Sequence, residues 1–135
     1  MKTKQIWANL SAKDVEQTRA FYKALGFEVN GDGGGRNELA SFLVGENKFV
    51  VHFFAEERFK SAIDGGIADL QRGNEVMFTL SADSRDEVDE WAEEVVKAGG
   101  TLFSEPQAVM NSDKWYGCGF ADLDGHKWNV FYNGE

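Results

Sequence analysis

Cysteine and proline each occur only once in this chain of 135 residues. The single cysteine, Cys118, excludes an internal disulfide framework and any zinc cluster that is built on several thiolates. With one proline and no tract rich in serine and proline, the sequence also lacks a long flexible linker. We therefore expect residues 1–135 to form a single domain, for which this length is sufficient.

Long apolar runs and basic side chains are also scarce. No stretch approaches the roughly 20 apolar residues of a membrane-spanning helix, and residues 1–7 lack the apolar core of a secretory signal. Lys and Arg together number 14 against 23 Asp and Glu, so the formal net charge is −9. This charge disfavours binding to nucleic acid or to an anionic membrane. We expect a cytoplasmic protein that binds neither.

The first half of the sequence is typical of a strand, a helix and three further strands. Asp14 and Gln17 form a capping box at the start of the helix, apolar residues then follow a helical spacing, and Gly26 stands where a helix commonly ends. The glycine-rich stretch 31–35 predicts a tight loop. The strands of this half are predicted at 4–10, 27–30, 38–44 and 48–55.

The second half shows the same order of patterns. Ser84 and Glu87 form a capping box, and Gly99 closes the helix that follows. Asp124 and Gly125 are together a strong signal for a hairpin turn. The strands of this half are predicted at 75–82, 101–104, 115–121 and 127–132.

The two halves also share residues, because the Leu-Ser-Ala tripeptide at 10–12 returns at 80–82. An internal repeat of this kind predicts an α+β fold with two tandem βαβββ modules, 1–57 and 74–135, joined by a linker at 58–73. Neither module can bury its sheet alone. We therefore expect curved mixed sheets around a shared cleft.

Two segments carry a resemblance to a known family. They are DVEQTRAFYKALGF at 14–27 and DLDGHKW at 122–128. Together with the repeat, they resemble the vicinal oxygen chelate superfamily, which contains glyoxalases, bleomycin resistance proteins and extradiol dioxygenases. The resemblance covers nearly the whole chain and implies the fold described above and a homodimer. It leaves the reaction open, because this superfamily contains lyases, isomerases, dioxygenases, thiol transferases and plain binding proteins.

The resemblance implies four positions for a metal site, on the first and last strand of each module. In this sequence they are Trp7, His52, Met77 and Asn129, with an uncertainty of one residue at His52. Indole is only a hydrogen-bond donor, a thioether is a poor ligand for hard or borderline cations, and an amide is a weak neutral ligand. Only His52 is a good metal ligand, so we expect no metal cofactor.

A shift of two residues keeps the same face of a strand and offers a different set of donors. It brings Asn9 and Glu75 beside His52 and Asn129. The residues His52, Glu75 and Asn129 would then hold one divalent metal ion weakly. In metal-using members of the superfamily, neighbouring oxygens of the substrate chelate the ion, which acts as a Lewis acid. The alternative to a metal-free protein is therefore a metal-dependent lyase, isomerase or dioxygenase.

The individual candidate residues also have structural interpretations. His52 lies in an apolar strand, which favours a neutral histidine that lines the cavity or is satisfied in the core. His126 follows a turn, and we expect it to make a structural hydrogen bond. Cys118 is expected to be a small strand residue next to the cleft, with an unreactive thiol. The predicted ligand cleft comprises Trp7, Asn9, His52, Met77, Cys118 and Asn129.

Aromatic residues make up 13% of the chain, with eleven Phe and four Trp. Such side chains fill cores and also line ligand cavities. The sequence therefore favours a binding protein that captures a small aromatic compound, and its acidic surface also admits a cationic one. A second hypothesis is a glyoxalase-like enzyme with a weakened metal site. A third is a structural or regulatory domain without a small ligand, which an aromatic-rich sheet disfavours.

Overall fold

A computed structural model describes residues 1–32 and 37–135 of the chain. The chain divides into a first unit, Met1–Ile67, and a second unit, Ala68–Glu135. Most of the tight loop predicted at 31–35 lies outside the described residues. Gly31 is described and has a φ of +60°, a left-handed conformation that suits glycine.

The first unit contains one four-stranded sheet and two helices. Its strand order is β1-β4-β3-β2, with β1 parallel to β4 and the other pairs antiparallel. The elements in chain order are β1 (Trp7–Ala12), α1 (Val15–Ala24), β2 (Glu28–Val29), β3 (Leu39–Val44), β4 (Phe49–Ala55) and α2 (Glu56–Ala62).

Helix α1 covers one face of this sheet. Its start is fixed by Asp14, whose carboxylate accepts a hydrogen bond of 3.1 Å from the backbone N–H of Gln17, as the capping box predicts. Tyr22 is fully buried and stacks on Phe53 of β4, with 4.6 Å between the ring centroids. Phe42 of β3 completes this aromatic core. The core of the first unit therefore lies between α1 and the central strands.

The second unit repeats the arrangement. Its strand order is β5-β8-β7-β6, with β5 parallel to β8 and the other pairs antiparallel. The elements are β5 (Met77–Ser81), α3 (Arg85–Lys97), β6 (Thr101–Ala108), β7 (Tyr116–Ala121) and β8 (Lys127–Tyr132). The two sheets thus have the same topology, and the prediction of two βαβββ modules is confirmed.

Helix α3 covers one face of the second sheet in the same way. The Ser84 hydroxyl accepts a hydrogen bond of 3.1 Å from the backbone N–H of Glu87. The Glu87 carboxylate reaches back to the backbone N–H of Asp83 at 2.6 Å. Beneath the helix, Phe120 and Trp128 are fully buried and stack with 6.2 Å between their centroids. The predicted capping box therefore forms and orients the helix over an aromatic core.

Several element bounds differ from the sequence prediction, and strand β1 occupies Trp7–Ala12 instead of 4–10. Helix α2 occupies Glu56–Ala62, so part of the stretch 58–73 that was predicted as a linker is helical. Strand β6 extends to Ala108 instead of ending at residue 104, with two register shifts along its pairing with β7. Within the described residues, the longest helices fall short of the length and hydropathy that crossing a membrane requires.

Candidate functional site

The face of the first sheet opposite α1 carries three of the residues predicted for the ligand cleft. Strand side chains alternate between faces, and Phe53 faces α1, so its neighbours His52 and Phe54 face the other way. The strand register places Asn9 of β1 beside His52, and Trp7 lies on the same face two residues earlier. We call this surface, defined by Trp7, Asn9, His52 and Phe54, open face 1.

His52 is the central residue of open face 1. In the strand register it lies between Asn9 of β1 and Ser41 of β3. Its Nδ1 atom is buried and has no hydrogen-bond partner among residues 1–32 and 37–135. Burial lowers the pKa of His52 from its ordinary value of 6.5, because desolvation disfavours the charged imidazolium. At neutral pH the ring is therefore uncharged, and its buried Nδ1 atom has no partner among the described residues.

An aromatic ring supports His52 on the same strand. The rings of His52 and Phe54 meet edge to face, with 5.5 Å between their centroids. Trp7, at the start of the neighbouring strand, is half exposed at 51%. The surroundings of His52 on this face are thus aromatic and half-buried, which suits the binding of a planar ligand.

A cavity of about 440 Å³ lies between open face 1 and helix α2. Asn9 and Phe54 line it from the sheet, while Arg58, Phe59 and Ile63 line it from α2 and the residue that follows. Arg58 and Phe59 were not among the predicted site residues, because residues 58–73 were predicted to form a linker. A signal was present: Glu56 and Glu57 precede Lys60, the charge order that complements a helix dipole.

The face of the second sheet opposite α3 carries Met77 and Asn129. In the strand register Asn129 lies between Thr79 of β5 and Gly119 of β7, and it is half-buried. The Phe103 ring covers Gly119 so closely that a Cβ atom there would lie 2.4 Å from it. We call this surface, defined by Met77, Thr79, Phe103 and Asn129, open face 2.

A second cavity, of about 500 Å³, adjoins open face 2. Glu75, Met77, Phe103 and Lys127 are among its lining residues. The Lys127 ammonium donates a hydrogen bond of 2.6 Å to the backbone carbonyl of Gly125, so its charge is directed to the turn. Glu75 precedes β5 and is exposed, as the sequence suggested for a carboxylate at the beginning of a strand.

The two units place their predicted metal positions equivalently. His52 pairs with Asn9, two residues after Trp7, and Asn129 pairs with Thr79, two residues after Met77. His52 therefore corresponds to Asn129, and Trp7 corresponds to Met77. That these four positions form a metal site stays a prediction.

The donor set at these four positions does not fit a tight divalent metal site. It offers one imidazole, one amide, one thioether and one indole, whereas a catalytic zinc site needs three good protein ligands. The alternative set takes His52 from the first unit and Glu75 and Asn129 from the second unit. That set stays a prediction.

Cys118 does not belong to either open face, which corrects the predicted ligand cleft. It pairs with Val130, and both side chains are buried on the face that α3 covers. Its Sγ atom lies 3.9 Å from the backbone carbonyl of Val88 in α3. Burial together with the nearby carboxylates of Asp89 and Glu105 raises the pKa of Cys118 to about 11. The thiol is therefore a core group without nucleophilic character.

His126 belongs to the hairpin turn between β7 and β8. The Asp122 carboxylate accepts hydrogen bonds from the backbone N–H groups of Asp124 at 3.0 Å and His126 at 2.9 Å. Gly125 adopts a φ of +97°, as the predicted turn requires. Polar side-chain atoms of Asp122, Asp124 and His126 lie within 4.8 Å of one another. Since Asp122 already holds the turn through two amides, we interpret the cluster as a structural element.

Most of this chain matches a known protein family. The sequence model of a family described as the Glyoxalase/Bleomycin resistance protein/Dioxygenase superfamily matches residues 4–130. No curated protein matches the chain.

Several solved structures share the fold. The hypothetical protein SA1046 from S. aureus is 30% identical, with a TM-score of 0.84, and the match covers 98% of this chain and 95% of that one. Lactoylglutathione lyase from Agrobacterium tumefaciens is 20% identical, with a TM-score of 0.68 and coverage of 99% and 97%. The fosfomycin resistance protein FosX from Listeria monocytogenes, complexed with Mn(II) and sulfate, is 16% identical, with a TM-score of 0.68 and coverage of 98% and 92%.

Proposed function

Because this chain belongs to the Glyoxalase/Bleomycin resistance protein/Dioxygenase superfamily, we propose that it is a binding protein that holds a small aromatic compound on open face 1 without a metal cofactor. One observation carries the proposal. The buried Nδ1 atom of His52 has no partner among the described residues, and it lies on a face with Trp7 and Phe54. A buried polar atom without a partner costs free energy, which a bound ligand with a complementary polar group recovers.

The chemistry of this face supports binding rather than turnover. Its groups are aromatic rings, the Asn9 amide and a histidine that burial keeps neutral. Neutral groups of this kind orient a planar ligand by stacking and by one or two hydrogen bonds. None of the side chains that define open face 1 carries a charge that could stabilise a developing oxyanion.

The test is a titration of the protein with a neutral aromatic probe, 2-naphthamide. Binding is monitored through the NMR chemical shifts of the probe. We expect binding that is unchanged in excess EDTA. Replacing His52→Ala should weaken it about two- to tenfold, the usual effect of losing one hydrogen bond. The control is Lys97→Ala, an exposed position at the end of α3. No binding by the unmodified protein, or binding abolished by EDTA, would contradict the proposal.

The second candidate function is a metal-dependent lyase, isomerase or dioxygenase that uses His52, Glu75 and Asn129. Two observations favour it. His52 offers an imidazole with a free nitrogen, and the fold is shared with a lactoylglutathione lyase and with a resistance protein that carries Mn(II). Elemental analysis separates the two functions: one equivalent of Zn²⁺, Ni²⁺, Mn²⁺ or Fe²⁺ in the purified protein, lost in His52→Ala, would support the enzyme.

A further inference from the structure

We propose that the cavity between α2 and open face 1 selects an aromatic carboxylate, with Arg58 as the residue that binds its anionic group. This inference rests on the proposed function, because it specifies the ligand class of the same site. The net charge of the chain favours a cationic ligand, whereas this proposal assigns an anionic ligand to the cavity.

The charge that faces this cavity is positive. Arg58 is its one charged lining residue among the described parts of the chain. The Arg58 guanidinium forms no ion pair with any described carboxylate, whereas the neighbouring Glu57 carboxylate is paired with Lys60 at 3.4 Å. The net charge of −9 is a property of the whole surface, and the local guanidinium decides which ion the cavity attracts.

The guanidinium also has the geometry for a carboxylate. Its planar fork of N–H donors matches two carboxylate oxygens, a pairing that an ammonium group cannot reproduce. Arg58 lies in the first turn of α2, directly after the strand that carries His52 and Phe54. The anion-binding group is thus joined to the aromatic face by a short stretch of regular backbone.

The remaining walls suit the ring of such a ligand. Phe54 and Phe59 contribute aromatic surface, Ile63 contributes aliphatic surface, and Asn9 contributes an amide that can donate or accept a hydrogen bond. A volume of about 440 Å³ lies within the range of small-molecule sites. An aromatic ring with one carboxylate therefore meets a complementary group at each end.

The experiment compares three probes with the same ring system: 2-naphthoate, 2-naphthamide and 2-naphthylmethylammonium. Each is titrated in low salt with excess EDTA, by calorimetry and by NMR. We expect the carboxylate to bind tightest and the ammonium weakest. The substitution Arg58→Gln should lower the affinity for 2-naphthoate about tenfold or more. It should change the affinity for 2-naphthamide by less than about twofold. Replacing Arg58→Lys should give an intermediate loss, because the charge remains and the fork is lost.

The matched control is Arg72→Gln, an exposed arginine of the second unit that does not line this cavity. It should leave all three affinities unchanged. If the carboxylate binds no tighter than the amide, or if the ammonium binds tightest, the anion selectivity is wrong while aromatic binding stands. If none of the three probes binds, the proposed function and this inference are both wrong.

Discussion

His52 links the candidate site to the pH dependence of stability. Burial lowers its pKa in the folded protein, so the unfolded chain binds a proton at a higher pH than the folded chain does. Between the two pKa values the unfolded state carries more protons, and the free energy of unfolding therefore rises with pH. The contribution of neutral His52 is complete above the ordinary pKa of 6.5 and is lost as the pH falls below it.

We therefore expect His52→Gln to flatten the pH dependence of thermal unfolding. Between about pH 7.5 and pH 5.5, the Tm of the unmodified protein should fall more than the Tm of the variant. Differential scanning calorimetry at several pH values measures this difference. Parallel curves for the two proteins would show that His52 is not desolvated in the folded state.

Cys118 supplies a second prediction at the scale of one residue. Its side chain is 2% exposed and its pKa is raised to about 11, so a thiolate is scarce at neutral pH and shielded from reagents. A thiol reagent such as iodoacetamide should therefore leave the native protein unlabelled over hours and modify one cysteine in denaturant. Mass spectrometry counts the adducts. Rapid labelling of the native protein would place the thiol at the surface.

The local sequence around Cys118 explains why this residue was wrongly predicted to lie next to the ligand cleft. Its neighbours in the strand, Gly117 and Gly119, have no side chains, so the stretch Gly-Cys-Gly carries no alternation between apolar and polar faces. The face is set by packing that the local sequence does not display, namely Val130 beside Cys118 and α3 above it. The equivalence of Trp7 and Met77 was predictable, because the repeat has an offset of 70 residues there, whereas the sequence left an uncertainty of one residue at His52.

At the scale of elements, the capping boxes predicted both long helices well, and the short helix α2 was missed. Helix α2 has only seven residues, and its N-cap, Ala55, makes no side-chain hydrogen bond. Without a capping residue or a repeated apolar face, only the charge order of Glu56, Glu57 and Lys60 marks this helix, and that signal is too weak to predict a helix by itself. Consequently the part of the candidate site that α2 supplies, including Arg58, was not predicted.

The length of strand β6 was underestimated for a related reason. Its pairing with β7 shifts register between Leu102 and Ser104 and again between Ser104 and Gln107. These irregularities, with Pro106 in an edge strand, interrupt the alternation by which a strand is recognised. The ladder continues to Ala108 because pairing with β7 resumes after each shift.

The two glycines of β7 allow a prediction for the strand itself. A Cβ atom at Gly117 would lie 2.6 Å from the backbone carbonyl oxygen of Val130, whereas one at Gly119 would meet the ring of the half-exposed Phe103. A backbone group within the sheet cannot move aside, but an exposed ring can. Gly117→Ala should therefore lower the free energy of unfolding by about 1–3 kcal/mol, and Gly119→Ala by less. Urea denaturation of both variants tests the order, and equal losses would contradict it.

At the scale of the whole molecule, each unit leaves apolar side chains exposed at the start of an outer strand. Ile6 and Trp7 are 77% and 51% exposed, and the equivalent Val76 and Met77 are 39% and 55% exposed. Exposed large apolar groups that are grouped in this way mark surfaces for association. We propose that a second copy of the chain covers Ile6 and Val76 in a homodimer, while Trp7 stays with the ligand site.

Light scattering should therefore give a mass of about twice the 15.1 kDa of one chain at micromolar concentration. The double variant Ile6→Glu with Val76→Glu should shift the mass toward that of one chain, because charged groups are costly to bury in an interface. Lys97→Ala is again the control. A single-chain mass for the unmodified protein would contradict the proposal.

The shared register of the two sheets has a practical consequence for protein engineering. Position 52 beside Asn9 and position 129 beside Thr79 are interchangeable slots, since each has a parallel neighbour strand and an antiparallel one in the same alignment. A side chain that works in one slot can therefore be transplanted into the other without redesigning the backbone. Installing a histidine at position 129 and an asparagine at position 52 would move the imidazole to the second sheet, whereas Arg58 and helix α2 stay with the first unit. The repeat thus offers one equivalent position in each unit that can be varied separately.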